Sequence, residues 1–259
     1  MKERKKEKVY DAGVLFPYLE KFNKHKDLFK NTVCVWEAVP KIAAYLKNYL
    51  KDTDHALLIK NNNGYFCGIK TLDNVFAGAF SDLNDGSIEI GENTIIEPGV
   101  FIKGPAIIGK NCEIRHNACI RGNVIIGDNC VIGHGSEIKN SVIMNYSNIP
   151  HFNYIGDSII GTNVNIGFMS ALLNARVDNA NIWLKIISRN GDLLDKMPIP
   201  LKKFGTIIGD DSSIGANISL NPGFILMPGT QLITKSNLVS EGGRENLLWL
   251  CKIRDTYKQ

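Results

Sequence analysis

Residues 106–139, AIIGKNCEIRHNACIRGNVIIGDNCVIGHGSEIK, decide the fold of this chain. Isoleucine recurs in this stretch at every sixth position, and the same register continues on both sides of it with two steps of five. The positions that keep the register are Ile90, Ile96, Ile102, Ile108, Ile114, Ile120, Ile126, Ile132, Ile138, Ile143, Ile149, Ile155, Ile160 and Ile166. A helix would repeat apolar residues every three or four positions, and a strand every second. A repeat of six instead predicts an all-β fold, the parallel β-helix, in which three short strands make one triangular coil.

The residues beside each isoleucine favour a narrow prism. The position two before it is usually small, as at Ala118 and Ser136, and positions i and i−2 of a strand share a face. We therefore expect one large and one small side chain to point inward from each strand. The position after the isoleucine is often glycine, as at Gly109 and Gly127, which predicts corners with a positive φ.

The repeat divides the chain into three parts. Residues 1–87 combine an apolar stripe at helical spacing with an Asn-Gly hairpin signal, and they predict an N-terminal α+β cap. Residues 88–240 are the β-helix, interrupted by an inserted arm at 168–205 that carries a second hairpin signal and is expected to protrude. Residues 241–259 have helical spacing and predict a C-terminal helical tail.

The composition excludes several classes of protein. The chain has 259 residues and a formal net charge of +4, which favours anionic small molecules without demanding nucleic acid. No apolar run is long enough to span a membrane and no signal-peptide pattern is present. The six cysteines show no CxxC or finger spacing. Cys112 and Cys130 should stack about 4.8 Å apart on adjacent coils, within reach of a disulfide, but two buried thiols are the preferred interpretation. Reduced thiols predict a cytoplasmic location.

Stacking also gathers polar residues that are distant in sequence. Arg121 and Lys139 each follow a repeat isoleucine, so both cations should lie on one corner of adjacent coils. Two like charges at this spacing suit an anion such as a phosphate, although a solvated face explains them about equally well. Glu137 and Tyr154 each precede a repeat isoleucine and should point outward from one face, with Asn165 pointing outward from the next.

Three histidines should form a column on another corner. His116, His134 and His151 each follow a repeat isoleucine by two positions. Imidazole is a common metal ligand, but no carboxylate or thiolate shares this column, so no metal site is expected. The alternative is that turns simply tolerate polar residues.

Two short segments carry a family resemblance. Residues 151–157, HFNYIGD, and residues 160–167, IGTNVNIG, resemble the acetyltransferase domain of the bifunctional N-acetylglucosamine-1-phosphate uridyltransferases and of their archaeal sugar-1-phosphate relatives. The resemblance covers roughly residues 88–240. It implies a left-handed β-helix, an exception to the usual right-handed crossover, and a homotrimer. It also implies transfer of an acetyl group from acetyl-CoA to a hexosamine 1-phosphate or a related amino sugar, within nucleotide-sugar metabolism.

The resemblance implies a role for each matched residue. His151 would act as the general base and Glu137 would orient it. The residues that would hold the sugar and its phosphate are Arg121, Lys139, Tyr154 and Asn165. The residues that would hold acetyl-CoA are Phe168, Asn174, Ala216 and Lys252. The backbone N–H of Phe168 would face the oxyanion.

Departures on the donor side keep a second function open. Phe168 stands where the family has a small residue, Ala175 where it has an aromatic one, and Ala216 where it has a serine. Residues 1–87 contain no Gly-rich nucleotidyl-transfer loop. The alternative to acetyl transfer is a non-catalytic module that binds a sugar phosphate or sugar nucleotide and partners a separate nucleotidyltransferase. Transfer of a longer acyl chain is less favoured, because the match is closer to the sugar-1-phosphate branch.

Overall fold

A computed structural model describes residues 10–22, 24–52 and 88–233 of the chain. Its β-strands form a left-handed parallel β-helix, which confirms the predicted fold class. The strands, in chain order, are β1 (Ile88–Ile90), β2 (Ile95–Ile96), β3 (Phe101–Lys103), β4 (Ala106–Ile108), β5 (Glu113–Ile114), β6 (Cys119–Arg121), β7 (Val124–Ile126), β8 (Val131–His134), β9 (Glu137–Lys139), β10 (Ser141–Ile143), β11 (Asn148–His151), β12 (Tyr154–Gly156), β13 (Ile159–Ile160), β14 (Asn165–Ile166), β15 (Ala171–Leu172), β16 (Trp183–Ile187), β17 (Leu193–Pro198), β18 (Thr206–Ile208), β19 (Ser213–Ile214), β20 (Ser219–Leu220), β21 (Phe224–Leu226) and β22 (Gln231–Leu232). The helices are α1 (Ala12–Leu15) and α2 (Ile42–Asp52), with 3-10 helices at Leu19–Lys21, Lys26–Phe29 and Val35–Lys41.

The strands of the coils are distributed over three sheets. The first sheet has the order β1-β4-β7-β10-β13-β18-β21-β16-β17, the second β2-β5-β8-β11-β14-β19-β22, and the third β3-β6-β9-β12-β15-β20. Neighbouring coils pair in parallel, and each repeat isoleucine lies opposite that of the next coil, as Ile120 lies opposite Ile138 and Ile138 opposite Ile155. This register carries outward side chains of successive coils into columns.

The interior of the prism follows the predicted pattern of large and small side chains. Ile120 and Ile138 are fully buried, and the small Ala118 lies in the same cluster. Cys112 and Cys130 are free and buried, as predicted. The backbone N–H of Cys130 lies 3.5 Å from the Cys112 sulfur, so the two thiols stack on adjacent coils.

The corners differ from the prediction in which residue has the positive φ. The expectation of a positive φ at Gly109 and Gly127 is wrong, because the left-handed conformation belongs to asparagines two positions later, Asn111 at 54° and Asn129 at 58°. Asparagine tolerates this region better than most residues. Glycine is needed for a different reason: a Cβ on Gly109 would lie 2.5 Å from the Gly127 backbone of the next coil.

The described N-terminal residues cover one side of the prism. The middle residues of the first-sheet strands point outward and pack in one cluster with Leu15, Phe16 and Ile42. These outward residues are Ile107, Ile125, Val142, Ile159, Ile207 and Ile225. The backbone N–H of Tyr18 donates to Asp210 Oδ2 at 2.8 Å and fixes the segment to the coils. None of the described helices is long and apolar enough to cross a membrane.

Two predicted elements lie outside the described residues. The hairpin of the N-terminal cap falls within 53–87, and the C-terminal tail, with Lys252, falls within 234–259. The domain boundaries at 87 and 240 stay predictions.

The inserted segment forms the predicted hairpin, but the arm begins later than the predicted residue 168, because β15 pairs with β12 and β20 and belongs to the coils. β16 and β17 pair antiparallel, and Gly191 adopts a φ of 89° in the turn between them. β16 also pairs in parallel with β21, with Ile186 opposite Ile225. The hairpin therefore extends the first sheet at the C-terminal end of the coils, and β17 forms its outer edge.

Candidate active site

The outer face of the third sheet gathers four of the predicted site residues. β6, β9 and β12 are neighbours in this sheet, with Tyr154 opposite Glu137 and Gly156 opposite Lys139. Arg121 has the corresponding position on β6, since Cys119 lies opposite Glu137. The middle isoleucine of each strand is buried, so the residues on either side of it point outward. The predicted columns are confirmed.

Arg121 and Glu137 form an ion pair on this face. Arg121 Nη1 donates to Glu137 Oε1 at 2.5 Å, and this hydrogen bond raises the pKa of Arg121 above its usual range. The resemblance implied that Glu137 orients His151, but no hydrogen bond joins these two side chains in the described structure. Glu137 lies outward in the strand, whereas His151 belongs to the corner that precedes it.

Asp157 contacts two of the predicted site residues and was not itself predicted from the sequence. Its carboxylate is buried and accepts from Asn140 Nδ2 at 2.6 Å through Oδ1 and from Asn174 Nδ2 through Oδ2. Lys139 Nζ lies 3.6 Å from Oδ2. Asp157 therefore connects a predicted phosphate-binding lysine with a predicted CoA-side asparagine. The signal in the sequence was a charged residue at a corner where the preceding coil has Asn140.

Tyr154 lies beside this network. Burial raises the pKa of the Tyr154 hydroxyl, the negative charge of Asp157 adds to the rise, and a hydrogen bond with Asn174 lowers it. A Cβ on Gly156 would lie 2.6 Å from Tyr154 Oη and 3.0 Å from Asn174 Nδ2. Glycine at position 156 thus leaves room for the tyrosine ring to lie across the face toward Asn174.

The predicted histidine column is present at the corner between the second and third sheets. The ring centroids of His116 and His134 lie 4.9 Å apart with nearly parallel planes, and those of His134 and His151 lie 5.3 Å apart. His116 is held by Glu97, whose Oε2 lies 3.0 Å from the ring Nδ1. The His151 ring forms no hydrogen bond with a described residue. The described residues include no group of three His, Cys, Asp or Glu side chains arranged to hold a metal ion.

The predicted donor-side residues continue this column. Asn148 lies opposite Asn165 and Ile166 opposite Ile214, so Phe168 and then Ala216 follow His151 at the same corner. The Phe168 side chain is 42% exposed, and its ring centroid lies 6.2 Å from that of Phe152.

The backbone around Phe168 leaves one donor unused. Its N–H donates to no acceptor within the described residues, whereas its carbonyl accepts from Asn217 at 2.7 Å. Asn165, by contrast, is exposed on the second sheet, between Asn148 and Ser213. It does not lie on the face that presents Arg121 and Lys139.

Comparison with known proteins supports the resemblance at the level of family. The chain is 39% identical over 81 residues to the bifunctional protein GlmU of Methanococcus aeolicus, covering 31% of this chain and 18% of that protein. It is 31% identical over 81 residues to the bifunctional sugar-1-phosphate nucleotidylyltransferase/acetyltransferase of Sulfurisphaera tokodaii, covering 31% of this chain and 19% of that protein. It is 30% identical over 113 residues to the bifunctional protein GlmU of Staphylococcus saprophyticus, covering 44% of this chain and 20% of that protein.

These matches span about a fifth of the length of each of these relatives. A longer match comes from a domain family. Residues 102–239, more than half of the chain, match the family described as the GMPPB C-terminal domain. With its hexapeptide register, its β-helix and this match, the chain belongs to the GMPPB C-terminal domain family.

Proposed function

We propose that this protein is an N-acetyltransferase that transfers the acetyl group of acetyl-CoA to the amino group of a hexosamine 1-phosphate or a related amino sugar. The observation that carries the proposal is the arrangement of Arg121, Lys139 and Tyr154 on one outer face, beside the corner that presents His151. The Sulfurisphaera tokodaii relative is named as an acetyltransferase, which supports the same reaction class.

Acetyl transfer requires a base and a hydrogen-bond donor to the oxyanion, and this chain can supply the two groups from adjacent coils. The neutral amine of the sugar attacks the thioester carbon, and the ring of His151 takes the proton that the amine loses. The negative charge that develops on the carbonyl oxygen is stabilised by the N–H of Phe168, which donates to no described residue. Adjacent coils lie about 4.8 Å apart, so the two groups can act on the same reacting centre. Collapse of the intermediate then forms the amide and releases CoA.

The acceptor is held by charge and by hydrogen bonds. Arg121 and Lys139 project from adjacent coils and can hold the phosphate by charge-assisted hydrogen bonds. The Tyr154 hydroxyl, which lies over Gly156 on the coil that follows Lys139, can contact a sugar hydroxyl. When the acceptor binds, its phosphate replaces the Glu137 carboxylate as the partner of Arg121. This exchange frees Glu137 to stabilise the protonated imidazole of His151.

Asn165 supports the proposal that the enzyme is a homotrimer. It is exposed on the second sheet rather than the third. In a cyclic assembly the second sheet of one subunit can face the third sheet of the next, so that each site uses Asn165 of a neighbour. The mass of the protein in solution, measured by light scattering, tests this arrangement.

A non-catalytic binding module is the second candidate function. Two observations favour it: Glu137 is paired with Arg121 rather than with His151, and the half-exposed Phe168 ring lies where the acetyl donor would approach. Such a module would bind the sugar phosphate or sugar nucleotide and partner a separate nucleotidyltransferase. Calorimetry separates the two functions, because the module binds the sugar phosphate without binding CoA.

The proposed function is tested by turnover with a matched pair of variants. Purified protein is assayed with acetyl-CoA and a panel of amino-sugar phosphates. His151→Ala should lower kcat by about 10²- to 10⁴-fold, the usual effect of losing a general base. His116→Ala removes a ring from the same column two coils away and should leave kcat unchanged. Absence of turnover on every acceptor, or equal turnover by His151→Ala and wild type, would reject acetyl transfer.

A further inference from the structure

The cations on the third sheet form a column of three, one more than the proposed acceptor site uses. Lys103 lies opposite Arg121 on the preceding coil. Lys139 lies opposite the same arginine on the following coil, because Ile120 is paired with Ile138. Neighbouring strands lie about 4.8 Å apart, so the column extends over about 10 Å along the prism.

The charges of this column are not balanced. Arg121 bonds to Glu137 at 2.5 Å, and Lys139 lies 3.6 Å from Asp157. Lys103 is exposed and forms no ion pair with any residue that the structure describes. Among the described residues, three cations against two carboxylates leave one net positive charge, at the Lys103 end. Like charges on adjacent coils repel one another even in water, so a bound anion would stabilise the column.

The column also has a direction relative to the proposed reaction. Tyr154 and His151 lie on the coil that follows Lys139, whereas Lys103 lies two coils before Lys139. An amine at His151 and a phosphate between Lys139 and Arg121 therefore leave Lys103 at the far end of the ligand. Two neighbouring cations are sufficient to contact one phosphate. Two linked phosphates, which divide the negative charge between them, can contact all three cations.

We infer that the acceptor is an amino sugar linked through a diphosphate, to a nucleoside or to a lipid, and that Lys103 binds the phosphate farther from the sugar. The inference rests on the proposed function and narrows its acceptor. It assigns Lys103 to the acceptor site, which the family resemblance did not do.

Binding measured by calorimetry without acetyl-CoA tests the inference independently of turnover. The probes are UDP-glucosamine, farnesyl diphosphate and glucosamine 1-phosphate. At least one diphosphate probe should bind more tightly than glucosamine 1-phosphate, and the tighter of the two identifies the nucleoside or the lipid as the linked group. Lys103→Gln should weaken that probe about tenfold, the effect of losing one charge-assisted hydrogen bond. It should change the affinity for glucosamine 1-phosphate by less than about twofold, since two cations still contact a single phosphate.

Lys110→Gln is the matched control. Lys110 is exposed near the same end of the prism but on a different corner, where it pairs with Glu92 at 3.0 Å. The variant makes the same change in net charge and should alter none of the affinities.

The outcomes separate this inference from the proposed function. Equal binding of monophosphate and diphosphate probes, or an equal loss for all probes in Lys103→Gln, overturns the inference and leaves acetyl transfer to glucosamine 1-phosphate intact. Diphosphate binding through Lys103 without any acetyl transfer supports the anion site and rejects the enzyme. Binding of no probe overturns the inference.

Discussion

Substitution of Glu137 by glutamine should change phosphate binding and turnover in opposite directions. The Glu137 carboxylate lies 2.5 Å from Arg121 Nη1, and the two side chains are 34% and 49% exposed. The carboxylate therefore competes with a phosphate for the guanidinium group. An ion pair this exposed contributes about 0.2–1 kcal/mol. Its loss should tighten the binding of glucosamine 1-phosphate by up to about fivefold.

Turnover should fall in the same variant. A glutamine at position 137 carries no charge to stabilise the protonated imidazole of His151. We expect kcat to decrease, but by less than the about 10²- to 10⁴-fold of losing the base itself. Calorimetry gives the Kd for glucosamine 1-phosphate, and a steady-state assay gives kcat for the same preparation.

Glu113→Gln is the control for this experiment. Glu113 pairs with Arg115 Nη2 at 2.9 Å on the second sheet, away from the candidate site, so its loss should change neither quantity. Weaker or unchanged phosphate binding by Glu137→Gln would contradict the competition for Arg121. A kcat equal to that of wild type would show that Glu137 does not contribute to the reaction.

Three other predictions concern buried groups. Asp157→Asn should lower the free energy of unfolding by about 2–3 kcal/mol, because one of two buried amide donors then faces another NH₂ group. Asp211→Asn, at an exposed position, is the control and should cost less than about 1 kcal/mol. Equal losses for the two variants in urea denaturation would contradict the buried hydrogen bonds of Asp157. Gly156→Ala places a Cβ 2.6 Å from Tyr154 Oη. This clash should displace the tyrosine ring and raise KM for the acceptor. An unchanged KM in the variant would show that the clash does not affect acceptor binding. Burial lowers the pKa of His25 from 6.5 to about 4. The contribution of the neutral ring to the free energy of unfolding is therefore complete above pH 6.5. Up to about 3 kcal/mol of this contribution is lost as the pH falls from 6.5 to 4. Denaturation curves at pH 7 and pH 4 should show a smaller acid loss for His25→Phe than for wild type, and identical losses would exclude His25 as the cause.

The β-helix can be predicted from the sequence because every coil repeats the same inward contacts. The covered side of the prism also has a signal in the sequence. Strands of the first sheet read as apolar on both faces, such as Val124-Ile125-Ile126, whereas those of the third sheet read as Cys119-Ile120-Arg121 or Glu137-Ile138-Lys139. Strands that are apolar on both faces are covered on both. The identity of the covering segment is not encoded in this pattern, because any apolar helix could supply the contacts.

At the candidate site, the columns were predictable and the side-chain partners were not. The backbone period places Arg121 and Lys139 at equivalent positions of adjacent coils. The pairing of Glu137 with Arg121 depends on the rotamers of two long side chains, which the period does not determine. Asp157 was missed because an aspartate after a glycine is also a common turn residue. Only the fold brings Asn174 and Lys139 to the same carboxylate oxygen, Oδ2.

In the proposed site, the cations that would hold the acceptor precede His151 along the prism axis, and Phe168, which would face the donor, follows it. The order by coil is Lys103, then Arg121, then Lys139 with Glu137, then Tyr154 with His151, then Phe168. Substitution of Arg121 should therefore change KM for the acceptor, and substitution of Phe168 that for the donor. Asp157 contacts Lys139 on one side of this boundary and Asn174 on the other. Its loss should raise KM for both substrates, and a change confined to one substrate would contradict the ordering.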